Sequence, residues 1–149
     1  CRILICDLLD KSGVVDTFAV TQVSQEELLA EADMISLHVP LTELTQSMVN
    51  ENFLQKMKPT AHLLNNSRGP VVKQQDLKNA LQKNIIAGAA LDVFESEPPE
   101  DIEFLSLPNL MVTPHIGGSS EEAILAMGMA AIDGLENAQD ASNFLPKLK

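Results

Sequence analysis

Cysteine, basic charge and long apolar runs are all scarce in this chain, and each scarcity removes a class of protein. Lys and Arg number 10 against 21 Asp and Glu, a net charge of −11. The clustered cations of a nucleic-acid surface are therefore missing. A solvated acidic surface is the simple reading of that charge, and it leaves room for a local anion site. No apolar run approaches the roughly 20 residues of a membrane-spanning helix, and no signal-peptide pattern is present. The two cysteines, Cys1 and Cys6, lie five apart in one strand-like segment. They would point to opposite faces of a strand, which argues against a disulfide between them. Buried thiols in a reducing cytoplasm are expected instead.

What is present suits a globular domain. Hydrophobic residues make up 45% of the 149 residues and the mean hydropathy is +0.05, enough for a real core. The chain opens on Cys1 directly into the strand-like run 1–6. From that we expect the N-terminal part of a longer protein to be absent.

Apolar runs of strand length recur at residues 3–6, 34–39, 61–64, 85–91 and 110–112. Most are continuous rather than alternating, as expected of strands covered on both faces. Helical patterns fall between them. Ser24 with Glu27 forms a capping box, and Asn50 is positioned to cap a helix over 51–57 that Pro59 stops. Leu77, Ala80 and Leu81 make one stripe over 75–83, and a longer helix is expected over 119–138. Strand and helix alternate throughout, which predicts an α/β fold with a doubly wound parallel sheet. The tail over 140–149 has no pattern.

A dinucleotide site on such a sheet has two sequence halves: a glycine-rich phosphate turn, and an acidic residue ending the next strand. No Gly-x-Gly-x-x-Gly occurs in the chain. The second half is visible, because Asp7 closes Arg2-Ile3-Leu4-Ile5-Cys6-Asp7. Its carboxylate could accept bonds from both hydroxyls of an adenosine ribose and would repel the extra phosphate of NADP, so NAD is favoured. A turn or helix-cap aspartate is the plainer reading of Asp7 taken alone.

The second half of the chain carries groups suited to proton transfer beside an anion. Arg68 lies in Asn65-Asn66-Ser67-Arg68-Gly69, Asp92 and Glu97 in Leu91-Asp92-Val93-Phe94-Glu95-Ser96-Glu97-Pro98, and His115 in Thr113-Pro114-His115-Ile116-Gly117-Gly118. A guanidinium can grip a carboxylate through paired bonds and stays charged. An imidazole titrates near neutrality, and a carboxylate can orient and charge it. The wider acidic group around Glu95, Glu97, Glu100, Asp101 and Glu103 resembles a metal site only loosely, and no metal is expected.

These segments, with His38-Val39-Pro40-Leu41-Thr42 ahead of them, resemble in sequence and order the D-isomer-specific 2-hydroxyacid dehydrogenases. That is the family of phosphoglycerate, glycerate and D-lactate dehydrogenases, and the resemblance covers nearly all of residues 1–138. It implies a Rossmann-like NAD-binding domain, incomplete at its N-terminal end. Residues 1–118 would be the latter part of that domain. Residues 119–149 would be a helix and tail returning toward a mostly absent substrate domain. The implied activity is NAD-dependent interconversion of a D-2-hydroxy acid and its 2-oxo acid.

The resemblance also implies roles. Arg68 would bind the substrate carboxylate and carbonyl. His115 would be the acid/base. Glu97, immediately before Pro98, would stabilise the imidazolium and raise its pKa, in preference to the rival Glu95. A glutamate at 97 also favours carbonyl chemistry over formate oxidation, for which relatives of this fold carry glutamine. Asp92 would face the nicotinamide, and Asp7 the ribose. His38, Val39, Pro40, Asn66, Ser67, Gly117 and Gly118 would lie along the cofactor, with Arg68 and His115 also close to it. A homodimer is implied for the complete protein. A dinucleotide-sensing regulator of the corepressor type, or an inactive fragment, are the alternatives left open.

Overall fold

The computed structural model describes residues 1–11, 13 and 19–138. The chain divides into two compact units, Cys1–His115 and Ile116–Lys149. In the first unit every strand pairing is parallel among the described residues. Strands β1 (Leu4–Ile5) and β2 (Thr21–Gln22) form one pair. Strands β3 (Met34–Leu37), β4 (His62–Asn65), β5 (Gly88–Leu91) and β6 (Leu110–Val112) form a four-stranded sheet in that order. Helices α1 (Gln25–Glu31), α2 (Glu51–Lys56), α3 (Gln74–Gln82) and α4 (Ile102–Leu105) connect them.

This is the parallel α/β fold expected from the alternation of strands and helices, of the Rossmann-like kind that the resemblance implies.

Local chemistry sets the helix boundaries. The Ser24 hydroxyl accepts from the Glu27 N–H at 3.2 Å, and the Asn50 side chain accepts from the Phe53 N–H at 3.2 Å. Both are the expected caps. Leu77, Ala80 and Leu81 turn one face of α3 into the core, which is centred on Leu37, Leu54, Leu63, Leu77, Leu81 and Phe104. Burying each leucine contributes about 1.5–3 kcal/mol relative to leaving it exposed.

Three expectations need correction. The run 85–91 is not one strand, because its first residues finish α3. Asn84 is left-handed at φ 52° and donates to the Leu81 carbonyl at 3.2 Å, while Ile85 donates to Ala80 at 2.9 Å. That pattern is a Schellman cap, so the strand starts only at Gly88. Second, β3 is not covered on both faces: Ile35 and Leu37 are buried, whereas Met34 and Ser36 are exposed. Ser36 and His38, polar at alternate places of the run, mark the exposed face. Third, Cys1 and Cys6 are exposed rather than buried, though unbridged as expected. They flank a two-residue strand that contributes nothing to the core cluster.

The second unit contains α5 (Glu121–Glu136), whose Ser120 cap accepts from the Ala123 N–H at 3.2 Å. The tail expected after it, from residue 139 onward, lies outside the described residues. No described helix is long and apolar enough to cross a membrane.

Candidate active site

In open parallel sheets, ligands sit beyond the carboxyl ends of the strands. The candidate residues gather there because β3, β4, β5 and β6 each end in one of the motifs. The β4 strand ends at Asn65, which is 1% exposed. Its side-chain oxygen accepts from the Ser67 N–H at 3.1 Å and the Ser67 hydroxyl at 2.8 Å, and its amide donates to the Arg68 carbonyl at 3.0 Å. Arg68 then starts the 3-10 turn Gly69–Val71. Its exposed guanidinium donates to the Ser67 carbonyl at 2.6 Å. Gly69 is obligatory for steric reasons. A Cβ built there would sit 1.8 Å from the Phe94 carbonyl oxygen.

Beyond β5, the Asp92 N–H donates to the Asn65 carbonyl at 2.9 Å. The Asp92 carboxylate is buried and accepts from the Thr113 hydroxyl at 2.5 Å. Thr113 N–H in turn donates to the Leu91 carbonyl at 3.0 Å. The ends of β5 and β6 are thus clasped at the roots of the two loops that carry Glu97 and His115.

At the tips of these loops, Glu97 Oε2 lies 2.8 Å from His115 Nδ1, and Glu97 Oε1 accepts from the Phe94 N–H at 3.0 Å. A carboxylate can only accept here, so Nδ1 carries the shared hydrogen and Nε2 is the ring nitrogen left for chemistry. Glu97 is held below the usual glutamate range, chiefly by His115 and then by the Phe94 N–H. Partial burial and the like charge of Asp92 oppose that shift. His115 itself takes φ 54°. This left-handed conformation is uncommon outside glycine and tends to collect at functional sites. The rival Glu95 is engaged elsewhere, accepting from the Gln74 N–H at 2.8 Å at the start of α3.

The cofactor-side residues divide into three places. His38, Val39, Pro40, Asn66, Ser67 and Arg68, together with Leu41, line an open pocket of about 540 Å³ at the ends of β3 and β4. His38 Nε2 is 2.9 Å from the Ser36 hydroxyl. Asp7 follows β1 and forms a turn, accepting from the Leu9 N–H at 2.9 Å, with Lys11 Nζ 3.3 Å from its other oxygen. The Leu9 bond, followed by Lys11, lowers its pKa. Gln22 of β2 braces that turn: it donates to the Leu9 carbonyl at 2.9 Å and accepts from the Lys11 N–H at 2.8 Å. Asp7 therefore has the structural role of a turn aspartate and keeps an exposed carboxylate as well. Gly117 and Gly118 fall in the second unit.

Three residues that order the site were not singled out from the sequence: Asn65, Gly69 and Thr113. The signal for Asn65 was a polar residue closing an apolar strand. The signal for Gly69 was a glycine straight after the arginine. Thr113 carried no distinguishing signal.

A parallel α/β sheet thus carries at its strand ends an imidazole–carboxylate pair and an arginine. The sequence matches the D-isomer specific 2-hydroxyacid dehydrogenase, NAD binding domain, over residues 1–117, and the chain belongs to that family. It is 44% identical over 135 residues to a glyoxylate reductase of Korarchaeum cryptofilum, covering 90% of this chain and 41% of that protein. It is 47% identical over 111 residues to glyoxylate/hydroxypyruvate reductase B of Enterobacter agglomerans, covering 74% and 34%. Its fold superposes on a D-lactate dehydrogenase from Sporolactobacillus sp. with a TM-score of 0.83 at 34% identity, covering 94% of this chain and 47% of that one. The chain thus spans 34% and 41% of the length of these two curated relatives.

Proposed function

We propose that this chain is the catalytic part of the NAD domain of an enzyme that interconverts a D-2-hydroxy acid and its 2-oxo acid. Residues 1–118 supply the latter part of that domain. Residues 119–149 lead back toward a substrate domain. The observation that carries the reading is the 2.8 Å contact of Glu97 with His115 Nδ1, which leaves Nε2 to exchange a proton with a substrate oxygen.

The residues present suit a dinucleotide. The pocket at the ends of β3 and β4 is open and mixed in character, and Asp7 offers a carboxylate after β1. Asp7 would hold the ribose, and His38, Val39, Pro40, Asn66 and Ser67 would border the cofactor; the family resemblance adds Gly117 and Gly118 to the cofactor-binding residues. Bound NAD(H) supplies or accepts the hydride.

The chain's own groups manage charge and proton. Arg68 grips the substrate carboxylate and polarises the keto oxygen, fixing the carbonyl carbon's orientation. His115 Nε2 gives its proton to that oxygen during reduction and removes it during oxidation. Glu97 stabilises the imidazolium and holds the ring at a fixed angle, so little reorganisation is needed when charge develops. Asp92 is spoken for by Thr113 on one oxygen, so its contribution is to hold the two loops as well as to border the nicotinamide.

Glyoxylate and hydroxypyruvate are the first substrates to try, given the names of the relatives. We place the complete protein in the cytoplasm as a homodimer, on the family resemblance. The test is NADH oxidation by the full-length gene product against glyoxylate, hydroxypyruvate, pyruvate, 2-oxoglutarate and phosphohydroxypyruvate. Turnover of at least one supports the reading and names the substrate class. Tight NADH binding with no turnover on any would sink it in favour of a dinucleotide sensor.

A further inference from the structure

We infer that Asn65 is the positioning residue that sets the substrate-gripping arginine, an inference that rests on the role proposed for Arg68. Asn65 is almost fully buried, at 1% exposure, at the point where β4 stops and the turn to Arg68 begins. A polar group buried at that depth is costly unless fully bonded. Here each half of the carboxamide is used, and each use constrains the turn.

The oxygen takes two hydrogens from Ser67 and the nitrogen gives one to the Arg68 carbonyl. The orientation of the amide is unambiguous. A flipped amide would set its NH2 against the Ser67 N–H and its oxygen against the Arg68 carbonyl. The residue's own carbonyl also accepts from the Asp92 N–H at 2.9 Å. One residue thereby joins the backbone of Ser67 and Arg68 to the first residue beyond β5, from which the Glu97 loop departs. The arginine and the proton-transfer pair are referenced to the same buried point.

Neither aspartate nor leucine does this at that position. Aspartate keeps the two acceptor bonds to Ser67, but it has no donor for the Arg68 carbonyl. It also places a second anion where the guanidinium would be drawn away from the substrate. Leucine has the same branching and the same number of side-chain heavy atoms, and it removes all three bonds.

The experiment compares Asn65→Leu and Asn65→Asp in the full-length gene product, each alone and combined with Arg68→Ala. With Arg68 present, Asn65→Leu should lower kcat/KM for the 2-oxo acid about tenfold to a hundredfold, mainly through KM, while the NADH dissociation constant stays within about threefold. With Arg68 already removed, the same change should cost less than about threefold, because residues acting through one another are not additive. Equal cost in both backgrounds, or a parallel loss of NADH affinity, would overturn the inference and leave Asn65 merely structural.

Hydrogen exchange gives a readout that does not need activity. Asn65→Leu should strip protection from the Ser67 amide and leave Leu63 and Leu64 protected, whereas Asn65→Asp should keep Ser67 protected. Unchanged exchange at Ser67 in Asn65→Leu also overturns it. If the parent protein turns over no 2-oxo acid, the functional reading fails, and exchange alone decides whether Asn65 orders the turn.

Discussion

Replacing Gly69 with alanine is a severe perturbation of the site for its size, a single methyl group. The added Cβ would lie 1.8 Å from the Phe94 oxygen, 2.0 Å from its carbonyl carbon and 2.7 Å from the Glu95 nitrogen. All three are backbone atoms, so no side chain can swing aside. Reaching even the 3.0 Å below which Cβ contacts essentially never fall requires the two segments to separate by about 1.2 Å, measured along the shortest contact. Phe94 is also the residue whose N–H braces Glu97, and Gly69 directly follows Arg68. The displacement therefore opens the gap between the arginine and the proton-transfer pair.

Overpacking of this kind costs about 1–3 kcal/mol of stability. Misplacing reacting groups by about 1 Å costs on the order of a hundredfold in rate. The variant should melt several degrees lower than the parent. Assayed well below its melting temperature, it should lose about a hundredfold in kcat/KM, with NADH affinity much less affected. A stable Gly69→Ala protein with kcat/KM within about threefold of the parent would refute the argument that this contact sets the site.

Two further predictions test the pair and the scaffold separately. Because His115 and the Phe94 N–H hold the Glu97 pKa below its ordinary 4.5, the carboxylate stabilises the fold fully above that value and loses the contribution as pH falls through the lowered one. Urea unfolding from pH 6 to pH 3 should therefore show the parent losing stability faster than Glu97→Gln, and parallel curves would contradict the coupling. Asn50→Ala removes the cap bond to Phe53 at 3.2 Å and should cost about 1 kcal/mol with no change in KM; an unchanged melting temperature would show that the cap contributes nothing.

Much of the fold could be read from the sequence because its signals were local. Ser24 and Asn50 announce helix starts through bonds made within three residues, and the run 110–112 coincides with β6. Where an outcome depended on neighbours, the sequence misled. Ile85 is as apolar as a strand residue but completes the cap of α3, since the left-handed Asn84 turns the chain first. Cys6 lies in an apolar run, yet it is exposed just past the two-residue strand β1.

The candidate site divides in the same way. His115, Glu97 and Arg68 stand out through the short motifs that carry them, and the structure brings His115 and Glu97 together. What orders them was harder to see. Asn65 and Thr113 work through partners that strand pairing alone supplies: Asn65 stands opposite Leu91, and Thr113 follows the residue paired with it. Gly69 matters only because Phe94, 25 positions later, crosses above it.

The central claim is that His115 passes a proton to a substrate oxygen with Glu97 behind it. The most direct measurement is kcat/KM for the preferred 2-oxo acid, with the NADH dissociation constant alongside, in the full-length parent and in His115→Ala. General acid catalysis of this kind is worth about 10² to 10⁴ in rate. The account predicts a loss in that range with NADH affinity unchanged. Comparable turnover in His115→Ala would contradict it.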